Sequence, residues 1–306
     1  MQTQKSLMKY LPFLFVVILS ACTSYKNMPL NSSADLLPPP GTTEISENLF
    51  FDQTEVTNFH WLEYSYWLKR VFGEDSEEFK SSIPNKEAHE EAYGLNISTN
   101  SLDLKHPAYR DYPVVGISYQ QALDYSQWRS DRVMENFLVK KGILSLPHSD
   151  HKDSIFTIRK YFTGQYLNIQ PNPEIQYYPE YSLPNHETFK KSSQFVDSLY
   201  ADFIETSKGK KHATTNDVNC LDQTSDSTPI RPSSVNSQVY NKKLKIHHLK
   251  GNVREMTATK GEFFGLSFMD SCDLDDTKIR RDDNLVNSYT GFRNVCIYLK
   301  WEDGFE

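Results

Sequence analysis

The clearest pattern of apolar and polar positions lies in residues 112–133. An apolar run at residues 114–117 predicts a short buried strand. Ser118 follows it, and Gln121 lies three residues further on, which is the spacing of a capping box at the start of a helix. Apolar residues then recur every three to four positions, so the sequence predicts a helix over residues 119–140.

Similar signals place the remaining elements. Thr57 or Asn58 can cap a helix over residues 58–72, and Gly73 follows its last apolar positions. A further helix is predicted at about residues 186–204. Three short strands complete the prediction, at residues 114–117, 262–268 and 291–299. These elements predict an α+β domain in which the helices pack on one short, twisted antiparallel sheet.

The N-terminus carries the signals of an exported lipoprotein. Lys5 and Lys9 precede an apolar segment, residues 11–19, which is shorter than the ~20 apolar residues of a membrane span. The Leu-Ser-Ala-Cys sequence that follows is a lipobox, in which Cys22 becomes the lipidated N-terminus. We therefore predict a lipoprotein signal peptide at residues 1–21; the alternative is an ordinary signal peptide followed by a chance cysteine.

Lipidation of Cys22 predicts where the protein resides. Two or three acyl chains anchor a protein stably, since each buried CH₂ contributes ~0.8 kcal/mol. Thr23 stands after the cysteine in place of an aspartate, which favours the outer membrane. We therefore expect a protein of the bacterial cell envelope that is held to the outer membrane by its lipid and faces the periplasm.

The rest of the chain divides into a tether and one domain. Residues 22–45 are rich in Pro and Ser, which predicts a flexible tether partly stiffened as polyproline II. Residues 46–306 are long enough to bury a substantial core. Two insertions are predicted in this domain: a polar surface insertion near 74–110 and a Tyr- and Pro-rich one near 143–180. The second is either an ordered loop over the core or a surface for stacking and partner binding.

Composition and charge narrow the function. The formal net charge of −7 argues against a nucleic-acid partner, which would require a basic surface. The sequence contains no Walker loop, dinucleotide fingerprint or HExxH motif. Besides Cys22 there are three cysteines, Cys220, Cys272 and Cys296. In an exported protein any one of their three pairings can form a disulfide, which leaves one cysteine over.

Five sequence fragments share their order with a known family. They are EVTN at 55–58, PVVGISYQQALDYSQWR at 113–129, LPNHETF at 183–189, GNVREMT at 251–257 and GFR at 291–293. Together they resemble the formylglycine-generating (sulfatase-modifying factor) family over about residues 50–300. The resemblance implies a C-type-lectin-like fold with limited regular secondary structure. Trp128 and Phe292, in two of these fragments, are expected in the core.

Catalysis in this family depends on a cysteine pair that the sequence lacks. The resemblance implies that two cysteines five residues apart, between a Gly-x-Ser turn and the GFR motif, hold Cu(I) through soft thiolates. The corresponding positions here are Asp275 and Arg280. Cys272 lies three residues before the first of them, and no cysteine lies five residues after it. We therefore assign no catalytic residue and expect no copper.

The resemblance also implies a calcium site. The matching positions are His248, Gly251, Val253 and Glu255. They would offer two backbone carbonyls, a carboxylate and, in place of the family's asparagine, an imidazole, whereas calcium prefers oxygen ligands. The alternative is that Glu255 forms a buried ion pair with Arg254, Arg293 or another cation. Arg293 itself is expected to pack inside the domain against a carboxylate.

Three classes of function compete. The first is a non-catalytic envelope lipoprotein that uses a degenerate domain of this family as a scaffold for proteins or glycans, as in gliding motility and type IX secretion. The second is an oxidoreductase of the sulfatase-modifying type with an atypical site, which would need Cys272 and Cys296 close together and reduced. The third is a ligand-binding module with a pocket in place of the enzymes' substrate groove. The missing cysteine pair favours the first class.

Overall fold

The computed structural model describes residues 37–94, 107–145, 154–206, 218–221, 231–237, 245–275, 277–284 and 286–302. The predicted signal peptide, Cys22 and most of the predicted tether lie outside these residues. Within the described ranges, no helix is both long enough and apolar enough to span a membrane.

The helices include the three that capping residues and apolar spacing predict. In the described part of the chain they are α1 (Asn58–Phe72), α2 (Glu77–Lys80), α3 (Lys86–Tyr93), α4 (Tyr119–Lys140), α5 (Ile158–Phe162) and α6 (His186–Thr206). The predicted bounds of α1 and α4 are confirmed, and α6 ends two residues later than predicted. At the start of α4, Ser118 Oγ accepts from the Gln121 N–H at 3.2 Å, and Gln121 Oε1 accepts from the Ser118 N–H at 2.6 Å.

The strands form two four-stranded sheets rather than the single sheet predicted. They are β1 (Thr42–Ser46), β2 (Leu49–Asp52), β3 (Tyr177–Ser182), β4 (Arg254–Met256), β5 (Glu262–Phe264), β6 (Arg280–Arg281), β7 (Thr290–Gly291) and β8 (Val295–Lys300). One sheet has the antiparallel order β1-β2-β8-β3, and the other has the order β6-β5-β4-β7 with β7 parallel to β4. The predicted strand at 291–299 is therefore divided between two sheets.

The predicted strand at 114–117 is wrong, although its residues are buried. An isolated bridge forms just before it, between Pro113 and Thr57, and residues 114–117 join no strand. Gly116 has a φ of 71° and its N–H donates to the Asn287 carbonyl at 3.0 Å, so the chain turns away from a ladder. A Cβ at Gly116 would lie 2.8 Å from the Asn85 carbonyl oxygen, which only glycine avoids.

Helices α1 and α4 share an aromatic core with the GFR segment. Trp61 of α1 stacks on Tyr125 of α4 at 5.5 Å, and Phe292 meets both rings edge-on at 6.1 and 5.4 Å. Phe292 is fully buried, as predicted. Trp128 is only half-buried, because it lies on the face of α4 that borders an open cleft.

Both predicted insertions contribute to the interior. In the first, α3 buries Ala88, Ala92 and Tyr93, so the prediction of a surface segment is wrong there; its apolar positions follow helical spacing within a polar sequence. In the second, four tyrosines are buried: Tyr161, Tyr166, Tyr178 and Tyr181. Their burial supports the ordered-loop alternative over an exposed stacking surface.

The folded domain begins earlier than predicted. Strand β1 begins at Thr42, whereas the tether was predicted to extend to residue 45. Thr42 and Thr43 are both buried, and β1 pairs with β2. Upstream, Pro39 is buried and the Tyr298 hydroxyl donates to the Leu37 carbonyl at 3.0 Å. The sequence did not predict this strand because its first residues are polar threonines. Backbone pairing with β2 stabilises the strand, and a run of apolar side chains does not.

Candidate functional site

Asp275 and Arg280, at which the family resemblance predicts the catalytic cysteines, lie together at the protein surface. The Arg280 Nη2 donates to the Asp275 carbonyl at 2.9 Å, and its Nε donates to the Gly265 carbonyl at 3.3 Å. The Asp275 carboxylate accepts from the Thr277 hydroxyl at 2.6 Å and from its N–H at 3.0 Å. These hydrogen bonds from Thr277 lower the pKa of Asp275. The loop is therefore held by hard oxygen and cationic nitrogen groups, neither of which suits Cu(I).

The cysteines in the described ranges do not form a reduced pair. Cys220 and Cys272 are joined by a disulfide with their Cα atoms 5.3 Å apart. Cys296 lies in β8 as a buried free thiol, and burial raises its pKa. Cys272 is thus bound to a partner other than Cys296, and the remaining thiol is protonated and shielded.

The four candidate calcium positions lie in one buried segment, and the side chains of Glu255 and His248 have other partners. Both oxygens of Glu255 accept from Arg293, at 2.6 and 2.7 Å. His248 Nε2 lies 3.2 Å from the Ser237 hydroxyl and from the Ser234 carbonyl, and burial lowers the pKa of His248 to about 3. The other two, Gly251 and Val253, are buried with their side-chain positions packed against neighbours.

These contacts do not fit a calcium ion, because the one anionic ligand already has a guanidinium on both oxygens. In the described part of the chain no group of three or more His, Cys, Asp or Glu side chains could hold a metal. The calcium site stays an untested prediction, and the contacts of Glu255 match the alternative of a buried ion pair with Arg293.

A second buried carboxylate, Glu55, faces the same guanidinium. Its Oε1 accepts from the Asn252 amide at 2.9 Å. Its Oε2 lies 4.0 Å from Arg293 Nη2 and has no hydrogen-bond partner among the described residues. Burial raises the pKa of Glu55 to about 8; Arg293 opposes this rise and the neighbouring Glu255 adds to it. At neutral pH this carboxyl group is therefore mostly protonated.

An Asp–Arg pair connects this interior to the surface. Asp52, at the end of β2, accepts from Arg129 of α4 through both oxygens, at 2.7 and 2.9 Å. The Asn294 N–H donates to the same carboxylate at 2.8 Å. Arg129 also lies over the Tyr181 ring, with Cζ 4.1 Å from the ring centroid. The pair fixes α4 against the first sheet.

The Asp52–Arg129 pair forms the floor of an open cleft of about 670 Å³. One wall is α1 and the other is α4. Aromatic rings line it, namely Tyr66, Trp67, Tyr125 and Trp128. The charged or titratable lining groups are Asp52, Glu55, His60, Glu63, Arg70, Arg129 and Arg132. Cavities of this size and composition are common ligand sites.

The sequence predicted none of these cleft residues as a site. One signal was available: Glu63, Tyr66 and Arg70 recur at helical spacing on α1, which places an aromatic ring between two opposite charges on one face. The opposing wall comes from α4, more than one helix further along the chain. Sequence periodicity cannot show that two such faces meet.

Comparison with known proteins places this α+β domain, with its limited regular secondary structure, in a defined class. The family described as the sulfatase-modifying factor enzyme 1-like domain matches residues 17–269, and the chain belongs to this family. The match ends before Asp275 and Arg280. Among solved structures the chain is similar to one titled "Crystal Structure of CarF", at 17% identity, covering 81% of this chain and 86% of that chain with a TM-score of 0.41. No curated protein matches the sequence.

Proposed function

We propose that this protein is a non-catalytic lipoprotein of the bacterial cell envelope, whose domain binds proteins or glycans as part of a gliding-motility or type IX secretion assembly. The observation that carries the proposal is that Asp275 and Arg280 stand where the family resemblance expects the two thiolates. A carboxylate and a guanidinium cannot hold Cu(I) as two soft thiolates do.

The state of the cysteines supports this proposal. An atypical oxidoreductase of the family would need Cys272 and Cys296 close together and reduced. Cys272 is instead bridged to Cys220, and Cys296 is buried. Burial also raises the pKa of the Cys296 thiol, so the thiolate that would bind metal or react with oxygen is disfavoured.

A paired assay tests the absence of catalysis. The reduced protein is titrated with Cu(I) against a chromophoric chelator, and a Cys-x-Pro-x-Arg peptide is incubated with the copper-treated protein. We expect no copper binding with thiolate character and no aldehyde above a blank without protein. Aldehyde formation above that blank would overturn the proposal and favour the oxidoreductase alternative. The same assay on Cys272→Ser would then identify the active thiol.

The envelope role needs its own test, because the predicted anchor lies outside the described residues. Cys22→Ser removes the thiol that lipid attachment requires, so we expect a soluble or uncleaved precursor in cell fractionation. A fully processed variant that still sediments with membranes would contradict the lipoprotein prediction. Crosslinking of the native protein in the envelope, followed by mass spectrometry, would identify its protein partners.

A further inference from the structure

The cleft between α1 and α4 has the features of a built binding site rather than a surface irregularity. Trp67 of α1 and Trp128 of α4 meet edge to face with ring centroids 6.3 Å apart, and Tyr125 lies 5.5 Å from Trp128. Tyr66, at the rim, is 63% exposed. An exposed tyrosine beside two half-buried tryptophans offers apolar ring faces to a ligand at little conformational cost.

Buried polar atoms without partners lie along the same cleft. Within the described part of the chain, Trp128 Nε1 and Arg132 Nε have no hydrogen-bond partner. Buried polar groups are nearly always hydrogen-bonded, and the exceptions concentrate at functional sites. These two groups are donors, and the exposed carboxylate of Glu63 at the rim is an acceptor, so the cleft can hydrogen-bond a ligand in both directions.

The charges of the cleft cancel. Because burial raises the pKa of Glu55 to about 8, the ionised groups that line it are Asp52, Glu63, Arg70, Arg129 and Arg132. Asp52 is paired with Arg129, and Arg132 is paired with Glu135 and lies over the Trp67 ring at 4.8 Å.

The two charges that remain at the rim also offset each other. They are Glu63 and Arg70, which are both exposed on α1 and carry opposite charges. A ligand of either sign would meet one favourable and one unfavourable charge there, so the cleft selects neither anions nor cations.

Resting on the proposed function, we propose that this cleft binds a neutral oligosaccharide. The C–H faces of sugar rings pack on aromatic rings, and sugar hydroxyls both donate and accept hydrogen bonds. The Asp52–Arg129 pair adds a fixed polar floor in which the two charges already satisfy each other, so it requires no net charge in the ligand. A volume of about 670 Å³ lies within the range of small-ligand sites, and the open rim allows a longer chain to extend past Tyr66.

Isothermal titration calorimetry of the full protein tests the inference. The ligands are four neutral hexasaccharides: two of glucose that differ in linkage, one of mannose and one of N-acetylglucosamine. A hyaluronan hexasaccharide serves as the anionic comparison. Tyr66→Ala should weaken binding about three- to tenfold, the contribution of one aromatic contact. Leu167→Ala is the matched control, because Leu167 is similarly exposed (56%) but lies outside the cleft. Trp67→Ala, with Trp301→Ala as its control, provides a second pair, and thermal unfolding shows whether each variant folds.

We expect at least one neutral hexasaccharide to bind. The cleft variants should lower its affinity and the control variants should not. Added salt should leave the affinity unchanged. If Trp67→Ala fails to fold, the comparison of Tyr66→Ala with its control decides whether the cleft binds the sugar. Three results would overturn the inference: no binding across the neutral set, equal losses in cleft and control variants, or binding of the anionic sugar alone. None of these results bears on catalysis. Failure of the inference can therefore be told apart from aldehyde formation, which would overturn the proposed function itself.

Discussion

Arg293 holds Glu255 through two parallel hydrogen bonds, with its Nε 2.7 Å from Oε2 and its Nη2 2.6 Å from Oε1. Both side chains are buried, and the remaining Nη donors reach the carbonyls of Asp52 and His247. In the second sheet, Glu255 of β4 is paired with Phe264 of β5 on one side and with Gly291 of β7 on the other. The ion pair therefore links the GFR segment to the centre of the second sheet.

Removing the guanidinium should strongly destabilise the domain. Arg293→Met leaves Glu255 buried without its cation, and breaking a buried pair in this way costs about 3–5 kcal/mol. The measurement is the free energy of unfolding from urea titration. Arg281→Met is the control, because Arg281 pairs with Glu262 at the surface and such a pair contributes ~0–1 kcal/mol. A cost for Arg293→Met no larger than that of the control would contradict the proposed importance of the pair.

Glu55 should give stability a pH dependence of its own. Burial raises the pKa of Glu55 from 4.5 to about 8, so the folded protein keeps a proton that the unfolded chain releases over this interval. The unfolded state is then increasingly favoured as the pH rises from about 4.5 to 8, and this contribution to stability is lost. The side chain of Glu55→Gln is neutral at every pH, so this variant should not lose stability for this reason as the pH rises.

The comparison is made between melting temperatures. The melting temperature of Glu55→Gln minus that of the unmutated protein should rise as the pH increases from 4.5 to 8. Glu91→Gln, at an exposed position on α3, should show no such trend. A difference for Glu55→Gln that is constant or falls with pH would show that the folded state does not hold this proton.

The calcium prediction can be separated from the ion pair by chelation. A bound ion stabilises by RT ln(1 + [L]/Kd), which is ~2.7 kcal/mol at a hundredfold excess over Kd. Because Arg293 occupies both oxygens of Glu255, we expect the melting temperature to be the same in EGTA and in millimolar calcium. A calcium-dependent rise that disappears in Glu255→Gln would instead show that the ion displaces Arg293 and that the site exists.

Local signals predicted the two helices that organise the domain. Thr57 and Ser118 each accept from the N–H three residues on, which is a property of a few consecutive residues and is readable from the sequence. The same holds for the GFR segment, whose Phe292 and Arg293 are buried as expected. The family resemblance then gave the fold, because five fragments in order constrain how such elements can assemble.

Features that depend on distant residues could not be predicted. Glu55 meets Asn252 across 197 positions, so its burial and raised pKa have no local signature. The choice of Cys220 and Cys272 among three pairings required the tertiary structure. The Val-Val-Gly-Ile run was predicted as a strand because it is apolar, but Gly116 turns the chain where a ladder would have to continue.

The loop of Asp275 and Arg280 allows a direct test of the proposed lack of catalysis. The side chain of Arg280 already reaches the backbone of Asp275, so the two positions are near each other in the folded protein. If the backbone is otherwise suitable, restoring both thiols should recreate a Cu(I) site. Chelation by two thiolates held in one loop exceeds the affinity of either alone through effective concentration.

Asp275→Cys/Arg280→Cys should bind Cu(I) about tenfold or more tightly than either single variant, measured by chelator competition under reducing conditions. Asp273→Cys/Lys278→Cys has the same spacing in the same loop and is the matched control for two added thiols. We expect little aldehyde formation from the restored pair, since the cleft and the loop present other groups to a peptide. If the restored pair binds copper no better than the control, the geometry of the loop is also unsuited to a Cu(I) site. If it forms aldehyde efficiently, the domain retains the family's substrate groove, and the scaffold role would rest on the two substitutions alone.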